Sequence, residues 1–494
     1  MAERKTKKSV HDKKSATLPS KKAGKGNGCV LYKKCGGCQL QNMTYPEQLS
    51  FKQVKAIKNL GKFCHVEEII GMENPVRYRN KVQAAFGYRN GRIISGVYQS
   101  SSHNIIPVDE CLLEDEIADS IIVTVRKMLP KYKLTSYNED TGRGFLRHVL
   151  VKRSFHTGQT MVVLVSGTPL FPKKDEFVRE LISRHGEITT VIHNVNGAKT
   201  SLVLGERETV LYGNGYIEDI LCGKTFRISA KSFYQINPVQ TEVLYGKAVE
   251  FAGLTGKERV LDAYCGTGTI GIVAADKAKE VVGVELNEQA VRDAKVNARL
   301  NGTENIRFFA ADAGRFMVEA AKAREQFDLV FMDPPRAGSD LNFLKSLVTL
   351  SPKRVVYVSC NVETQARDLT FLCKNGYRVK KIQPVDMFPH TGHVETVVLL
   401  SQRRPDTHID IKLDLSELDI TAAETKATYQ EIKDYVFEKY GLKVSTLYIS
   451  QVKAKCGIIE RENYNKGKEG HRVPQCPKEK EDAIMDALRH FRMV

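Results

Sequence analysis

The sequence predicts an α/β protein with a β-rich region in its first half and a parallel sheet in its second half. From about residue 225, short apolar runs alternate with helix-forming segments, a pattern typical of parallel strands covered by helices. The run Arg354-Val-Val-Tyr-Val-Ser359 indicates a buried strand of that sheet, because it is apolar and β-branched. Between residues 75 and about 220, short apolar runs separated by turn-forming residues predict strands with a few helices, one of them over 114–129.

Length and charge set the broad class. A chain of 494 residues is too long for one domain, and we divide it into a tail over 1–28, domains over 29–220 and 221–402, and a helical extension over 403–494. The formal net charge of +17 predicts a polyanionic partner, RNA or DNA before a membrane surface. Because we find no long apolar window and no secretory signal, we expect a cytoplasmic protein without membrane contact, and a monomer.

The tail is expected to be a solvated basic segment. Only Glu3 and Asp12 oppose its positive charges, and glycines are interspersed; the basic residues are Arg4, Lys5, Lys7, Lys8, Lys13, Lys14, Lys21, Lys22 and Lys25. Nonspecific phosphate contact and simple solubilisation both suit such a run.

The extension is predicted to contain three helices. Thr421-Ala-Ala-Glu424 has the pattern of a capping box that opens a helix ending at Gly441. Ser445 begins a second, lysine-bearing helix, and residues 478–491 form a third. Such a module could contact RNA or protein, or could be a packing extension.

Three closely spaced cysteines, Cys29, Cys35 and Cys38, indicate a metal site. The Gly-Gly pair between the last two allows the backbone to wrap closely around an ion. Cys64 and Cys111 are the candidates for a fourth ligand. Composition alone favours zinc, then an iron–sulfur cluster, then unrelated thiols.

Basic and aromatic residues alternate near the start of the β-rich region. The set comprises Arg77, Tyr78, Arg79, Lys81, Phe86, Tyr88, Arg89, Arg92 and Tyr98. This mixture suits backbone contacts and base stacking in RNA. A solvated sheet face would show the same pattern.

A glycine-rich turn follows the first strand of the parallel sheet. The motif Asp262-Ala-Tyr-Cys-Gly266-Thr-Gly268 lacks the full dinucleotide spacing and resembles motif I of S-adenosylmethionine (SAM) methyltransferases. Glu285 ends the second strand, where a carboxylate can accept ribose hydroxyls, and Asp312 ends the third, on the expected adenine side. The three elements together favour SAM over NAD.

Three further residues lie at the ends of later strands. Asp333 opens a rigid Asp-Pro-Pro-Arg turn, of a kind found in methyltransferases that act on bases, and Cys360 follows the strand that ends at Ser359. Glu395 begins the last apolar strand, after His390 and His393, which could be simple loop donors. By itself Cys360 could be a core thiol or a nucleophile.

The combination resembles the RNA uracil-C5 methyltransferases. The resemblance covers about residues 29–402 and lies in the motifs Ser232-Phe-Tyr-Gln235-Ile-Asn, Asp262-Ala-Tyr-Cys-Gly-Thr-Gly, Asp333-Pro-Pro-Arg, Ser359-Cys360-Asn361 and His393-Val-Glu395. Within that family, Cys29, Cys35, Cys38 and Cys111 match the signature of the 23S ribosomal RNA enzymes of the RlmD type. This match implies a [4Fe-4S] cluster and reverses the preference for zinc. Family members often begin with a small β-barrel RNA-binding domain, whereas here the basic tail leads almost directly to Cys29, and the segment after 402 is extra.

The resemblance implies roles for individual residues. Cys360 would add to carbon 6 of uracil and Glu395 would remove the proton from carbon 5. The expected cofactor-binding residues are Gln235, Tyr264, Glu285, Asp312 and Asp333. Phe233 could stack on an extruded uridine.

Alternative functions come from the same family and from other classes. A transfer-RNA uracil-C5 methyltransferase shares the catalytic residues. The Asp-Pro-Pro-Arg turn also resembles that of adenine-N6 methyltransferases, for which Cys360 would be dispensable. A noncatalytic RNA-binding or ribosome assembly factor would use the basic domains without binding SAM.

Overall fold

A computed structural model describes residues 28–99, 102, 104–200, 202–403, 429–456 and 475–491. The chain divides into two compact units, residues 1–405 and 406–494. The predicted basic tail lies outside the described residues apart from Gly28. Among the described residues, no helix is both long and apolar enough to cross a membrane.

The first unit begins with two helices, α1 (Tyr32–Cys35) and α2 (Tyr45–Leu60). Thr44 starts α2 through a capping box, because its backbone N–H donates to the Glu47 carboxylate at 2.7 Å. The buried positions of α2 recur every fourth residue, at Gln48, Lys52, Ala56 and Leu60, and therefore form one face. This face packs toward the second sheet, where Ala56 and Leu60 join its core.

The β-rich region forms a seven-stranded sheet of order β3-β2-β1-β4-β5-β6-β7. Its elements are β1 (Lys81–Arg89), β2 (Arg92–Tyr98), β3 (Ile105–Pro107), α3 (Glu116–Lys131), β4 (Leu146–Arg153), β5 (Thr160–Ser166), α4 (Lys174–Arg184), β6 (Ile188–Val195) and β7 (Arg207–Tyr212). All neighbours are antiparallel except β5 and β6. The predicted helix over 114–129 starts two residues later, because the Asp115 side chain caps it by accepting from the N–H groups of Ile117 and Ala118.

The second half contains the predicted strand–helix alternation. A hairpin of β8 (Tyr216–Leu221) and β9 (Lys224–Ser229) leads to α5 (Pro238–Ala252). The elements that follow are β10 (Arg259–Ala263), α6 (Thr269–Ala275), β11 (Glu280–Glu285), α7 (Glu288–Leu300), β12 (Ile306–Ala310), α8 (Ala313–Lys322), β13 (Leu329–Met332), α9 (Leu341–Leu350), β14 (Arg354–Ser359), α10 (Val362–Lys374), β15 (Tyr377–Val385) and β16 (Glu395–Gln402).

These strands form a second seven-stranded sheet of order β12-β11-β10-β13-β14-β16-β15. The first five strands are parallel and β16 is antiparallel to both of its neighbours, so the predicted α/β fold is confirmed. Apolar cores cover both faces of the sheet. Strand β15 is absent from our sequence prediction; it lies at the sheet edge, where Arg378, Lys380 and Lys381 are exposed and interrupt the apolar pattern.

The second unit contains α11 (Tyr429–Tyr440), α12 (Thr446–Lys455) and α13 (Lys478–His490) around a small apolar core. The Ser445 side chain accepts from the Tyr448 N–H and begins α12, as the sequence predicts. The capping box predicted at 421–424 lies outside the described residues.

A buried ion pair attaches α2 to the second sheet. The Lys52 ammonium lies 2.5 Å from the Asp386 carboxylate, and both side chains are fully buried. Lys52 also donates to the Phe388 carbonyl at 2.9 Å, while the Tyr45 hydroxyl donates to Asp386 at 3.0 Å. Burial lowers the pKa of Lys52, and the carboxylate opposes that shift. These contacts hold the start of the segment that leads from β15 to Glu395.

Replacing Lys52 with Met should lower the free energy of unfolding by about 3–5 kcal/mol, because Asp386 would become an uncompensated buried charge. Chemical denaturation measures the change. Lys58→Met removes an exposed lysine from the same helix and should change stability by less than about 0.5 kcal/mol. Equal losses in the two variants would show that the ion pair does not hold α2 in place.

Candidate active site

The glycine-rich turn after β10 adopts conformations that favour glycine. Gly266 and Gly268 have φ of 55° and 81°, and a Cβ on Gly268 would lie 2.7 Å from the Phe308 ring. The buried Asp262 carboxylate accepts from the Gly271 N–H at 2.8 Å and so fixes the start of α6. Gly266 therefore adds no side chain to the turn, and Gly268 allows the turn to pack closely against Phe308.

Glu285 at the end of β11 is tied to the same turn. One carboxylate oxygen accepts from the Gly266 N–H at 3.1 Å and the other from the Asn287 N–H at 2.8 Å. Each oxygen retains a lone pair for a further donor. Asp312 is similarly half-engaged, because one of its oxygens caps α8 by accepting from the Arg315 N–H.

A cavity of 430 Å³ opens above the carboxyl ends of β10, β11 and β13. All five predicted cofactor-binding residues line it. Among the described residues, its lining is Leu221, Phe233, Tyr234, Gln235, Tyr245, Asp262, Tyr264, Cys265, Gly266, Thr267, Thr269, Ile270, Val284, Glu285, Leu286, Asp312, Ala313, Asp333 and Pro335. This described lining contains four carboxyl groups and no lysine or arginine, so it favours a cationic ligand.

Gln235 enters the cavity from the loop between β9 and α5. Its side chain hydrogen-bonds the buried Tyr245 hydroxyl, which also accepts from Thr269 at 3.2 Å. Its carbonyl accepts from the Asn80 side chain at 3.1 Å, so the β-rich region helps to fix this loop. Phe233 lies at the rim and is 63% exposed, which leaves its ring available for stacking. Tyr245 was not predicted, because it lies inside α5 without a recognisable motif.

Strand pairing brings Cys360 and Glu395 together. Ser359 of β14 pairs with Thr396 of antiparallel β16, so the next opposed positions are Cys360 and Glu395. Cys360 is partly exposed, whereas Glu395 is buried. Neither residue lines the cavity itself, but Asp333 of its lining acts electrostatically on both.

Burial raises the pKa values of these three groups, and repulsion adds to the shifts of Glu395 and Cys360. Burial raises the pKa of Asp333 to about 7. Burial, with repulsion from Asp333, raises the pKa of Glu395 to about 8. The pKa of the Cys360 thiol is raised to about 11, mainly by burial and further by repulsion from Glu395 and Asp333. The Arg336 guanidinium opposes the last two shifts, and a cation bound nearby would oppose all three.

Hydrogen bonds fix the turn that carries Asp333 and Arg336. The Asn361 side chain donates to the Arg336 carbonyl at 3.1 Å and accepts from the Glu363 N–H, which caps α10. The Thr364 hydroxyl donates to the same carbonyl at 3.2 Å. The residue after Cys360 thus anchors both the turn and the following helix.

The segment before Glu395 is held by the N-terminal part of the unit. Tyr78 donates to the Pro389 carbonyl at 3.0 Å. The Gln48 side chain accepts from the His390 N–H at 2.8 Å and approaches its ring at 3.2 Å, while the Leu40 N–H donates to the His390 carbonyl at 3.0 Å. His390 is buried in this network, which gives it a structural role in the loop.

Of the two candidates for a fourth cysteine ligand, Cys111 lies with Cys38. Both pack against the cluster of Met72, Tyr78 and Leu113. The pKa of Cys38 is raised to about 12, mainly by burial and further by repulsion from the neighbouring thiols of Cys111, Cys35 and Cys29. Cys64 belongs to another core and its thiol donates to the Lys380 carbonyl. Among the described residues, no group of three or more Cys, His, Asp or Glu could hold a metal ion.

Comparison with known proteins identifies relatives of the chain. The profile of the tRNA (uracil-5-)-methyltransferase family matches residues 206–403. An uncharacterized RNA methyltransferase from Clostridium acetobutylicum is 45% identical over 381 residues, which cover 76% of this chain and 83% of that protein. One from Listeria monocytogenes is 46% identical over 376 residues, covering 75% and 83%.

A solved structure shares the fold. The tRNA (uracil-54, C5)-methyltransferase of Pyrococcus abyssi, in complex with S-adenosyl-L-homocysteine, is 30% identical with a TM-score of 0.61. The match covers 74% of this chain and 86% of that one. The predicted Rossmann-like SAM methyltransferase fold is therefore confirmed.

The raised pKa of Cys360 makes its reactivity depend on pH. In the ligand-free protein, its alkylation by iodoacetamide should accelerate about tenfold per pH unit from pH 7 to 10, because only the thiolate reacts. Peptide mass spectrometry measures the rate, and the same peptide in denaturant provides the control. A plateau near pH 8 in the folded protein would contradict the raised pKa.

Proposed function

The chain belongs to the RNA uracil-C5 methyltransferase family, and we propose that it methylates carbon 5 of a uridine through a covalent bond between Cys360 and carbon 6. Family membership confirms the predicted SAM-dependent methylation of uracil carbon 5 in RNA. The observation that carries the covalent mechanism is the strand register that opposes Cys360 to Glu395, beside the Asp333 turn.

The volume and the carboxyl groups of the cavity suit SAM. SAM supplies an electrophilic methyl group on a positively charged sulfonium. The backbone of the glycine turn, Glu285 and Asp312 would bind its polar groups, and Tyr264 would contact its apolar surface. The carboxyl groups without nearby cations in the lining would compensate the positive charge of SAM.

Cys360 acts as the nucleophile toward the uracil ring. The thiol first loses its proton to solvent, and its sulfur then bonds to carbon 6. The electron pair of the carbon 5–carbon 6 double bond moves to carbon 5, which becomes enolate-like and accepts the methyl group. A positive charge bound beside Asp333 would lower the pKa of Cys360 and thereby favour the thiolate.

Glu395 acts as the base that ends the reaction. It takes the proton from carbon 5; the electron pair re-forms the double bond to carbon 6 and expels the thiolate of Cys360. The pKa of about 8 in the ligand-free protein keeps this carboxyl largely protonated at neutral pH. Positive charge in the cavity and the guanidinium of Arg336 favour its ionised form.

The rim residues recognise the flipped base. Phe233 would stack on the extruded uracil, because its ring is exposed at the cavity mouth. The Gln235 amide carries both a donor and an acceptor, and could bridge the uracil edge and the cofactor. Its hydrogen bond to Tyr245 would set the orientation of that amide.

The proposed RNA is 23S ribosomal RNA, supported by the four-cysteine set. The net charge of +17 suits either ribosomal or transfer RNA. Transfer RNA is the second candidate, favoured by the description of the matching family profile and by the activity named for the Pyrococcus abyssi relative. Methylation of the two purified RNAs by the same protein preparation distinguishes them.

We also assign a [4Fe-4S] cluster to Cys29, Cys35, Cys38 and Cys111. Four thiols suit either zinc or this cluster. A single zinc ion requires all four sulfurs at about 2.3 Å, whereas each cysteine of the cluster binds a different iron atom. The proposal is supported by the position of Cys38 beside Cys111 and by the electrostatic effect of Cys111, Cys35 and Cys29 on the Cys38 thiol.

Variants of the catalytic pair test the mechanism. Cys360→Ala should reduce formation of 5-methyluridine by at least about 10⁴-fold while SAM affinity stays within about twofold, since the covalent step is lost. Glu395→Gln should accumulate an RNA adduct on Cys360, because the proton on carbon 5 remains. Nucleoside mass spectrometry and denaturing gels measure these outcomes.

Two results would contradict the mechanism. Turnover by Cys360→Ala well above background would exclude the covalent bond. Absence of an adduct with Glu395→Gln, while wild-type protein forms 5-methyluridine, would place the base elsewhere. Formation of N6-methyladenosine by the wild-type protein would instead reject the uridine assignment.

Metal analysis tests the cluster. Protein purified without oxygen should contain about four iron and four sulfide per chain. Cys111→Ser should lower both contents, whereas Cys64→Ser should leave them unchanged because Cys64 lies in a different core. Stoichiometric zinc without sulfide would contradict the assignment.

A further inference from the structure

A small crevice lies between the β-rich region and the β8–β9 hairpin. It is lined by Asn80, Lys81, Lys152, Arg153, Ile217, Ile228 and Tyr234, and its volume of about 10 Å³ holds one water-sized group. Among these described lining residues, Lys81, Lys152 and Arg153 are basic and none is acidic. Burial, with repulsion from Lys81, lowers the pKa of Lys152 to about 7, so Lys152 carries only part of a positive charge at neutral pH. It therefore favours an anionic atom.

Strand pairing concentrates the positive charge. Lys81 of β1 and Lys152 of β4 are direct cross-strand partners, an arrangement in which like charges repel. The Lys152 ammonium donates to the carbonyls of Ser229 and Ser232, both at 2.8 Å. Lys152 thus fixes the turn that precedes Phe233.

The other two cations have unused donors. Within the part of the chain that the structure describes, the side-chain ammonium of Lys81 makes no hydrogen bond or ion pair. Burial lowers the pKa of Lys81, and repulsion from Arg79 lowers it further. Arg153 directs one nitrogen to Asp115 at 3.2 Å, but its buried Nη1 has no hydrogen-bond partner among the described residues. A desolvated ammonium without a partner and a buried guanidinium nitrogen without an acceptor are both costly unless a ligand completes them.

The crevice adjoins the proposed uridine site. Tyr234 lines both the crevice and the large cavity, between the rim residues Phe233 and Gln235. Asn80, which also lines the crevice, donates from its side chain to the Gln235 carbonyl and from its N–H to the Ile236 carbonyl. An anion bound here would therefore sit beside the residues that would hold the flipped base.

We propose that Lys81 and Arg153 form a binding site for one backbone phosphate of the RNA next to the target uridine. This inference rests on the proposed function. The crevice admits only one oxygen atom, which suits a phosphate oxygen that enters from a strand lying across the opening. Anchoring the adjacent phosphate would stabilise the extruded nucleotide without contacting its base.

Neutral-backbone RNA tests the contact in the full-length protein with S-adenosyl-L-homocysteine present. A methylphosphonate linkage replaces one charged phosphate with a neutral group, and such linkages are introduced one at a time around the uridine. One of these positions should weaken the binding of RNA to the wild-type protein about tenfold. Lys81→Gln should weaken binding of unmodified RNA by a similar factor and lose its response to that linkage. A plot of log affinity against log salt concentration should have a slope shallower by about 0.7 to 0.9 for Lys81→Gln than for wild type, since one phosphate contact is lost.

Controls separate the contact from effects on folding or on the proposed function. Lys127→Gln removes an exposed lysine of α3 and should behave as wild type, and Lys81→Arg should retain the linkage response. The assay measures binding, so wild-type nucleoside analysis independently reports whether uridine methylation fails.

The proposal is overturned if Lys81→Gln and wild type respond alike to every linkage and share one salt slope. A second outcome also overturns it: inorganic phosphate raises the melting temperature of wild type but not of Lys81→Gln, and yet the two proteins respond alike to every methylphosphonate linkage. In that case the crevice binds the free anion. If Lys81→Gln does not fold, loss of the linkage response in Arg153→Lys supports the site, and a retained response rejects it.

Discussion

The buried ion pair between Lys52 and Asp386 is the constraint on which the geometry of the active site depends. It joins the first long helix to the edge of the methyltransferase sheet, at the start of the loop that ends in Glu395. Tyr78 and Gln48 hold the middle of the same loop. A displacement of α2 would therefore move the proposed base. Contacts of α2, Leu40 and Tyr78 with this loop thus connect the N-terminal segment to the strand pair that positions Cys360 and Glu395.

Burial is the common cause of the electrostatics at the site. It raises the pKa values of Asp333, Glu395 and Cys360 together, and the two carboxyl groups reinforce the shift of the thiol. An enzyme that needs a thiolate and a carboxylate at neutral pH must offset this cost. The methyl donor is itself a cation, so its binding would prepare the residues for reaction. This coupling would suppress thiolate formation until the donor is present.

The sequence identified those parts of the site that lie in local motifs. Cys360 follows β14 and Glu395 begins β16, and the apolar pattern of the sequence predicts both strands. The five predicted cofactor-binding residues all line the cavity. Features that depend on distant pairing were missed. Lys52 is one of three lysines in α2, and nothing in its local sequence distinguishes it from the exposed Lys58, so its complete burial could not be inferred. The pairing of Lys81 with Lys152 joins strands far apart in sequence.

Release of tritium from RNA that carries [5-³H]uridine tests the central claim most directly. If Cys360 adds to carbon 6 and carbon 5 is then methylated, wild-type protein should release one tritium into water for each methyl group transferred. The two quantities should rise together from the first turnover. Methyl transfer with full retention of tritium would contradict the account, because the new methyl group would then lie on another atom.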